Sequence, residues 1–176
     1  MTAGLRVLVV DDSAFMRASL RHIVGGTPGF TVVGEAKDGA AAVEAIRKLR
    51  PDVVTLDIDM PALDGIGVLR QIRPRPGTAP VFVMVSAFTT EGAAMTLLAL
   101  EAGAIDFVPK ASEHFKVDLA QVGELLRDKL AAAAMAVGVR PPAPRAESAA
   151  RPLPAGAPSL SPAPSLSPAQ APAPKA

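Results

Sequence analysis

Pro51-Asp52-Val53-Val54-Thr55-Leu56-Asp57-Ile58-Asp59-Met60-Pro61-Ala62-Leu63-Asp64-Gly65 is the stretch around which the chain is organised. Val53 to Leu56 are β-branched or apolar without a break, which suits a strand buried on both faces of a parallel sheet. The run stops at Asp57 and a turn-rich segment follows. A carboxylate is therefore expected where the strand meets solvent. In open α/β sheets that edge, at the carboxyl ends of the strands, is where ligands bind.

Outward from this stretch, residues 5–139 alternate between strand and helix patterns. Leu5 to Val10 reads as a buried strand ending at Asp11-Asp12. Ser13 or Asp12 can cap the helix that follows, whose stripe is Met16, Leu20, Ile23 and Val24, and Gly25-Gly26 stops it. Phe30 to Ala36 is a second strand. Asp38 and Gly39 open a second helix bearing Ala42, Val43, Ile46 and Leu49. After the central strand, Gly65 to Arg73 carries a short helix with Leu69 and Ile72 inward, broken by Pro74, Pro76 and Gly77. Val81 to Val85 is a fourth strand, ending at Ser86. Glu91 to Ala102 is a fourth helix, closed by Gly103. Ile105 to Val108 is a short fifth strand leading to Pro109-Lys110. A last helix lies within Val117 to Val137, with Leu119, Val122, Leu126 and Leu130 on one face. Five βα units in this length predict a doubly wound, flavodoxin-like α/β domain with a five-stranded parallel sheet in the order 2-1-3-4-5.

Composition narrows the function classes. Aromatic residues are 3% of the chain, with no Trp or Tyr, so the core rests on aliphatic side chains, Met and six Phe. Cys is absent, which excludes disulfides and thiolate metal sites and fits a reducing compartment. The net charge of +1 gives no global attraction to nucleic acid or to an anionic membrane. Met1 to Arg6 lacks the basic start of a signal peptide, and Val7 to Val10 is too short to span a bilayer. A soluble cytoplasmic protein is expected, with neither nucleic acid nor membrane as partner.

The composition changes near Arg140. Pro141 to Ala176 contains 11 Pro and 11 Ala in 36 residues, and Pro-Ser-Leu-Ser-Pro-Ala occurs twice in tandem, at 158–163 and 164–169. Too few large apolar groups are present to offset the entropy of ordering. Residues 140–176 are expected to be a disordered, extended linker or tail, with an SH3-type ligand as the lesser alternative.

The ends of the strands carry the chemistry. Strand one ends in Asp11-Asp12, strand three in Asp57, strand four in Ser86, and strand five leads to Lys110. In a 2-1-3-4-5 sheet these side chains converge on one edge. Three carboxylates in one cleft repel each other unless a cation joins them. Mg²⁺ prefers oxygen ligands and is often held by one or two carboxylates and a phosphate. With Lys110 opposite, the arrangement suits phosphoryl transfer, with Asp57 as nucleophile and Ser86 as donor to a phosphoryl oxygen.

The pattern Val-Leu-Val-Val-Asp11-Asp12-Ser13, then Asp57-Ile58-Asp59-Met60-Pro61 with Asp64-Gly65, then Ser86-Ala87, then Phe107-Val108-Pro109-Lys110 resembles response-regulator receiver domains. The intervals agree: 45 residues from Asp12 to Asp57, 29 to Ser86 and 24 to Lys110. The resemblance implies that Asp57 accepts a phosphoryl group from a phosphohistidine on a partner histidine kinase. It implies that Asp11 and Asp12 bind Mg²⁺ with Asp57, and that the backbone carbonyl of Asp59 completes the protein ligands. Lys110 and Ser86 would hold the phosphoryl oxygens. Ser86 and Phe107 would form the switch that alters the surface of helix four, strand five and helix five. A narrower resemblance lies in Asp11-Asp12-Ser13-Ala14-Phe15-Met16-Arg17, in Pro51 to Asp57, and in Gly103 to Lys110. These are similar to the receiver half of chemotaxis protein-glutamate methylesterases, in which a linker leads to a catalytic domain. No Gly-x-Ser-x-Gly elbow follows Pro141, so the chain reads as a fragment of such a protein or as a stand-alone regulator. The receiver would promote its own phosphorylation and dephosphorylation, without methylesterase activity. Two departures from the receiver pattern are Ala111 after Lys110, which speaks against a cis bond there, and Phe107 in place of the frequent Tyr.

Taken singly, each residue has a plainer reading. Asp12 is a helix cap, Asp11 a solvated loop acid, Asp64-Gly65 a turn, Ser86 a strand-end hydroxyl, Lys110 a surface lysine and Phe107 a core residue. His22 reads as a surface or boundary residue and His114 as a solvated loop residue. The enzyme alternative is a phosphohydrolase of the haloacid dehalogenase type, using Asp57 as nucleophile and Asp59 as general acid. Against it, that motif normally ends the first strand, and the Asp11-Asp12 pair would have no role. A flavin carrier of the same topology would want a Ser/Thr/Gly-rich phosphate loop after strand one, where this chain has two acids.

Overall fold

The computed structural model describes residues 4–75, 77–87, 90–110 and 119–138. The elements below all lie within one unit, Met1–Pro144. The expected boundary near 139, the tail at 140–176, His114 and the Lys110-Ala111 bond all lie outside the described residues.

The order is β1 (Leu5–Val10), α1 (Ala14–Gly25), β2 (Phe30–Ala36), α2 (Gly39–Leu49), β3 (Val53–Asp57), α3 (Gly65–Ile72), β4 (Val81–Ala87), α4 (Thr90–Glu101), β5 (Asp106–Lys110) and α5 (Leu119–Ala136). The five strands are parallel, in the order β2-β1-β3-β4-β5. This is the doubly wound arrangement that the alternating pattern predicts.

Side-chain alternation explains why the central strands are apolar over most of their length. Val7 and Val9 of β1, Val53 of β3, and Val81, Val83 and Val85 of β4 pack with Leu20, Val24, Val122, Leu126 and Leu130 under α1 and α5. Leu8 and Val10, Val54 and Leu56, and Phe82 and Met84 face the other way, with Ala42, Ile46, Val68, Leu69 and Ala99 of α2, α3 and α4. Both faces are covered, so the buried positions are apolar almost until the strands end; Thr55 in the middle of β3 is a buried polar exception.

Helix starts follow their caps. Ser13, not Asp12, caps α1, accepting from the Met16 N–H at 3.4 Å. The Asp38 carboxylate caps α2 through the Ala41 N–H at 2.8 Å. Asp64 caps α3 through the Gly67 N–H at 2.6 Å, so Asp64-Gly65 opens a helix and is more than a turn. Helix ends are less legible. Arg50 and Arg73 close α2 and α3 in the left-handed conformation, with φ of 46° and 52°, although Gly is the usual residue there. The fifth strand also differs from expectation. It begins one residue later, leaving Ile105 at the surface, and runs through Pro109 to Lys110. Pro109 is tolerated because β5 is an edge strand and its missing N–H interrupts no second ladder.

Candidate functional site

Three strand ends build the site. Asp57 is the last residue of β3, and Asp11 directly follows β1, its neighbour in the sheet. Lys110 ends β5. Alternation gives Asp11, Asp57 and Lys110 the parity of Val9, Val53 and Val108, so all three leave the sheet on the α1–α5 side. Lys110 Nζ lies 2.6 Å from Asp57 Oδ2 and 3.0 Å from Asp11 Oδ2. Asp11 and Asp57 are both fully buried, which corrects the plain reading of Asp11 as a solvated acid. Asp12 is exposed, yet one carboxylate oxygen from each of Asp11, Asp12 and Asp57 falls within 4.8 Å of the others.

Backbone donors hold two of the acids. The Ser13 N–H donates to Asp11 Oδ1 at 2.9 Å, and the Asp59 N–H donates to Asp57 Oδ1 at 3.1 Å. The other oxygens, Asp11 Oδ2 and Asp57 Oδ2, are buried without an aligned hydrogen-bond donor, although each has the Lys110 ammonium within ion-pair reach. Burial pushes the Asp57 carboxyl up from 3.8 to about 6; Asp11 adds to this, while Lys110 and the Asp59 N–H partly offset it. Burial pulls Lys110 down, but its pairing with Asp57 and Asp11 outweighs this, so it is held above its ordinary value.

Charge arithmetic tests the site as a cation pocket. Three ionised carboxylates and one ammonium sum to −2, from Asp11, Asp12 and Asp57 against Lys110. A divalent cation neutralises that sum, and two buried carboxylate oxygens without aligned donors are suitable hard ligands. The residues present therefore fit Mg²⁺.

Ser86 is buried near the end of β4, one residue beyond Val85, the register partner of Asp57. Its parity is that of Met84, so it belongs to the α4 side of the sheet, the side on which Phe107 packs. The expected residues thus fall into two groups: Asp11, Asp57 and Lys110 in direct contact, and Ser86 with Phe107 on the opposite face. Asp59 is exposed beside the first group. From the sequence, Gly65 reads only as part of a turn and Arg17 only as part of the narrower resemblance. A Cβ on Gly65 would lie 2.3 Å from the backbone oxygen of Asp57, so only hydrogen fits there. The Asp-Gly pair signalled a turn, but the close approach depends on how α3 folds back onto β3. His22 is exposed on α1, as expected.

The response regulator receiver domain family matches residues 7–120. The chain belongs to that family. As a receiver it is similar to a protein-glutamate methylesterase/protein-glutamine glutaminase of Pyrococcus horikoshii, 48% identical over 134 residues, covering 76% of this chain and 36% of that protein. A protein of the same description from Symbiobacterium thermophilum is 52% identical over 132 residues, covering 75% and 36%. The receiver spans about a third of the length of the curated relatives it matches, and the similarity is to their receiver half. Among solved structures, the response regulator domain of Thermotoga maritima CheB superposes with a TM-score of 0.65 at 46% identity, covering 78% of this chain and 99% of that one. A CheX-CheY-BeF3-Mg²⁺ complex from Borrelia burgdorferi gives 0.57 at 31% identity, covering 77% and 90%. These comparisons give no support to the haloacid dehalogenase alternative on Asp57 and Asp59.

Proposed function

We propose that this receiver takes a phosphoryl group on Asp57 from a histidine kinase and serves as the regulatory part of a chemotaxis protein-glutamate methylesterase, in the cytoplasm. The observation that carries the reading is the buried pairing of Lys110, at the end of β5, with Asp57 and Asp11 at the ends of the adjacent strands β3 and β1. Such a site has a nucleophile, a cation and spare anionic ligands in one place. The Borrelia relative, whose structure is described as holding BeF3 and Mg²⁺, supports the same use of the site.

A carboxylate oxygen of Asp57 attacks the phosphorus of a phosphohistidine. The new O–P bond forms as the N–P bond breaks, and the imidazole nitrogen keeps the electron pair. Asp11, Asp12 and Asp57, with the backbone carbonyl of Asp59, would hold Mg²⁺, which supplies charge neutralisation at the phosphoryl oxygens. Lys110 releases its hold on the acids and pairs with a phosphoryl oxygen, and Ser86 would move over the end of β4 from the α4 side so that its hydroxyl donates to another. Phe107 packs on the same face of the sheet as Ser86, so a shift of Ser86 is felt beside α4. Leu97, Leu98 and Leu100 of α4 are exposed, and such a patch suits a tethered methylesterase domain or another output partner.

The test is incubation of the protein with Mg²⁺ and acetyl phosphate, followed by intact-mass measurement. One added phosphoryl group is expected, with none on Asp57→Asn. Rapid multiple-turnover hydrolysis of general phosphate esters would overturn this reading.

A further inference from the structure

Arg17 lies on α1, one and a half turns beyond the acid pair, and its side chain turns back over the β1–α1 connection. Nη1 donates to the backbone carbonyl of Asp11 at 2.9 Å and to that of Asp12 at 3.1 Å. One nitrogen thus joins the carbonyls of both acids. On its other side, Arg17 Nε is 3.9 Å from Glu35 Oε2 of β2, and Arg21 Nη1 grips Glu35 Oε1 at 2.9 Å. The Arg17 side chain is only 20% exposed.

We propose that Arg17 is a positioning residue for the cation pocket, holding the Asp11-Asp12 backbone so that both carboxylates are presented to a divalent ion together. The exposed Asp12 is the acid that needs this most. Asp11 is fixed by burial, by the Ser13 N–H and by Lys110. Asp12 has a carboxylate at the surface and an anchored carbonyl. Fixing its backbone in advance removes an entropic penalty that ion binding would otherwise carry. A guanidinium near the site also repels a dication, and Glu35 beside it reduces that effect. The two contributions have opposite signs, so the direction of change on removing Arg17 decides between them.

The inference rests on the reading of Asp11 and Asp12 as Mg²⁺ ligands. Its test is Mg²⁺ titration calorimetry on the full chain, with melting temperature in EDTA as the measure of structure. Groups behind metal ligands typically change affinity by about 10–100-fold when removed, so Arg17→Ala is expected to weaken Mg²⁺ binding roughly tenfold or more. Arg17→Lys keeps a cationic donor at the position and is expected to recover part of the loss. If Arg17→Ala fails to fold, Arg17→Met, which keeps the aliphatic stem, is read in its place. Unchanged or tighter Mg²⁺ binding overturns the inference, as does Arg17→Lys binding as weakly as the truncated variant. Wild-type protein that binds no Mg²⁺, or Asp12→Asn that binds it undiminished, would instead remove the metal reading itself.

Discussion

Asp57 is placed where its charge is unfavourable until a cation arrives. Its carboxyl titrates at about 6 in the folded protein, against 3.8 ordinarily, because burial outweighs the help from Lys110. Between those two values the folded state binds more protons than the unfolded one, so stability falls as pH rises through that window and stays lower above it. In metal-free protein, Asp57→Asn is therefore expected to raise stability at pH 7 by roughly 1–3 kcal/mol. Urea unfolding in EDTA from pH 4 to pH 8 checks this: the wild-type protein should lose stability across the window, and the variant should show a flatter profile. A destabilised Asp57→Asn would show that Lys110, left with one carboxylate fewer, dominates. Added Mg²⁺ should flatten the wild-type profile as well, because a bound cation favours the ionised carboxylate. The identity of the acid was legible as a polar residue ending an apolar run. Its titration was not, since desolvation depends on what α1, α5 and the neighbouring strands exclude.

The connection from β3 to α3 shows how an element positions Asp57. Asp64 caps α3, and the Gly65 N–H donates to the carbonyl of Ile58 at 3.0 Å, which pulls the helix start against the strand end. Gly65→Ala would put a methyl group into the carbonyl of Asp57. Overpacking of this kind typically costs about 1–3 kcal/mol, and here the strain falls on Asp57, the proposed phosphoryl acceptor. The variant is expected to melt lower and to accept phosphoryl groups from acetyl phosphate more slowly than its lost stability explains. Phosphorylation measured well below the melting temperature separates the two effects; an unchanged rate there would confine Gly65 to a packing role. The elements themselves were legible because local rules governed their starts: Ser13, Asp38 and Asp64 are ordinary N-caps. Their ends were less so. Arg50 and Arg73 adopt left-handed geometry without Gly, and Lys110 is reached through a proline, each permitted by surroundings that sequence spacing does not describe.

Across the molecule, the sheet sorts chemistry from response. Odd-numbered positions of β1 and β3 lead to the acids on the α1–α5 side, while Ser86 and Phe107 belong to the α2–α3–α4 side. Under the proposed switch, a change at the acid edge would have to cross the sheet to reach α4. Among the described residues, no helix is long and apolar enough to cross a membrane. All the site residues named above precede the Pro/Ala-rich stretch that begins at Pro141. Truncation after Arg140 is expected to leave phosphorylation by acetyl phosphate unchanged in rate and extent. A truncated protein that folds but accepts phosphoryl groups more slowly would give the tail a part in the reaction.

Strand parity marks the division between the linear chain and the folded one. The amino-acid order alone determined the alternation of units, the 2-1-3-4-5 sheet and the residues at its carboxyl edge, because buried parallel strands are mostly apolar until they end. It named Asp11, Asp12, Asp57, Ser86 and Lys110 for that reason. Folding decided which of them meet. Asp11 became a buried ion-pair partner of Lys110 and not a solvated acid, Ser86 took the opposite face, and Gly65 and Arg17 came to bear on the acids. Those outcomes depend on burial and on contacts between residues far apart in the chain, and desolvation and close approach are properties of the packed structure, not of sequence spacing.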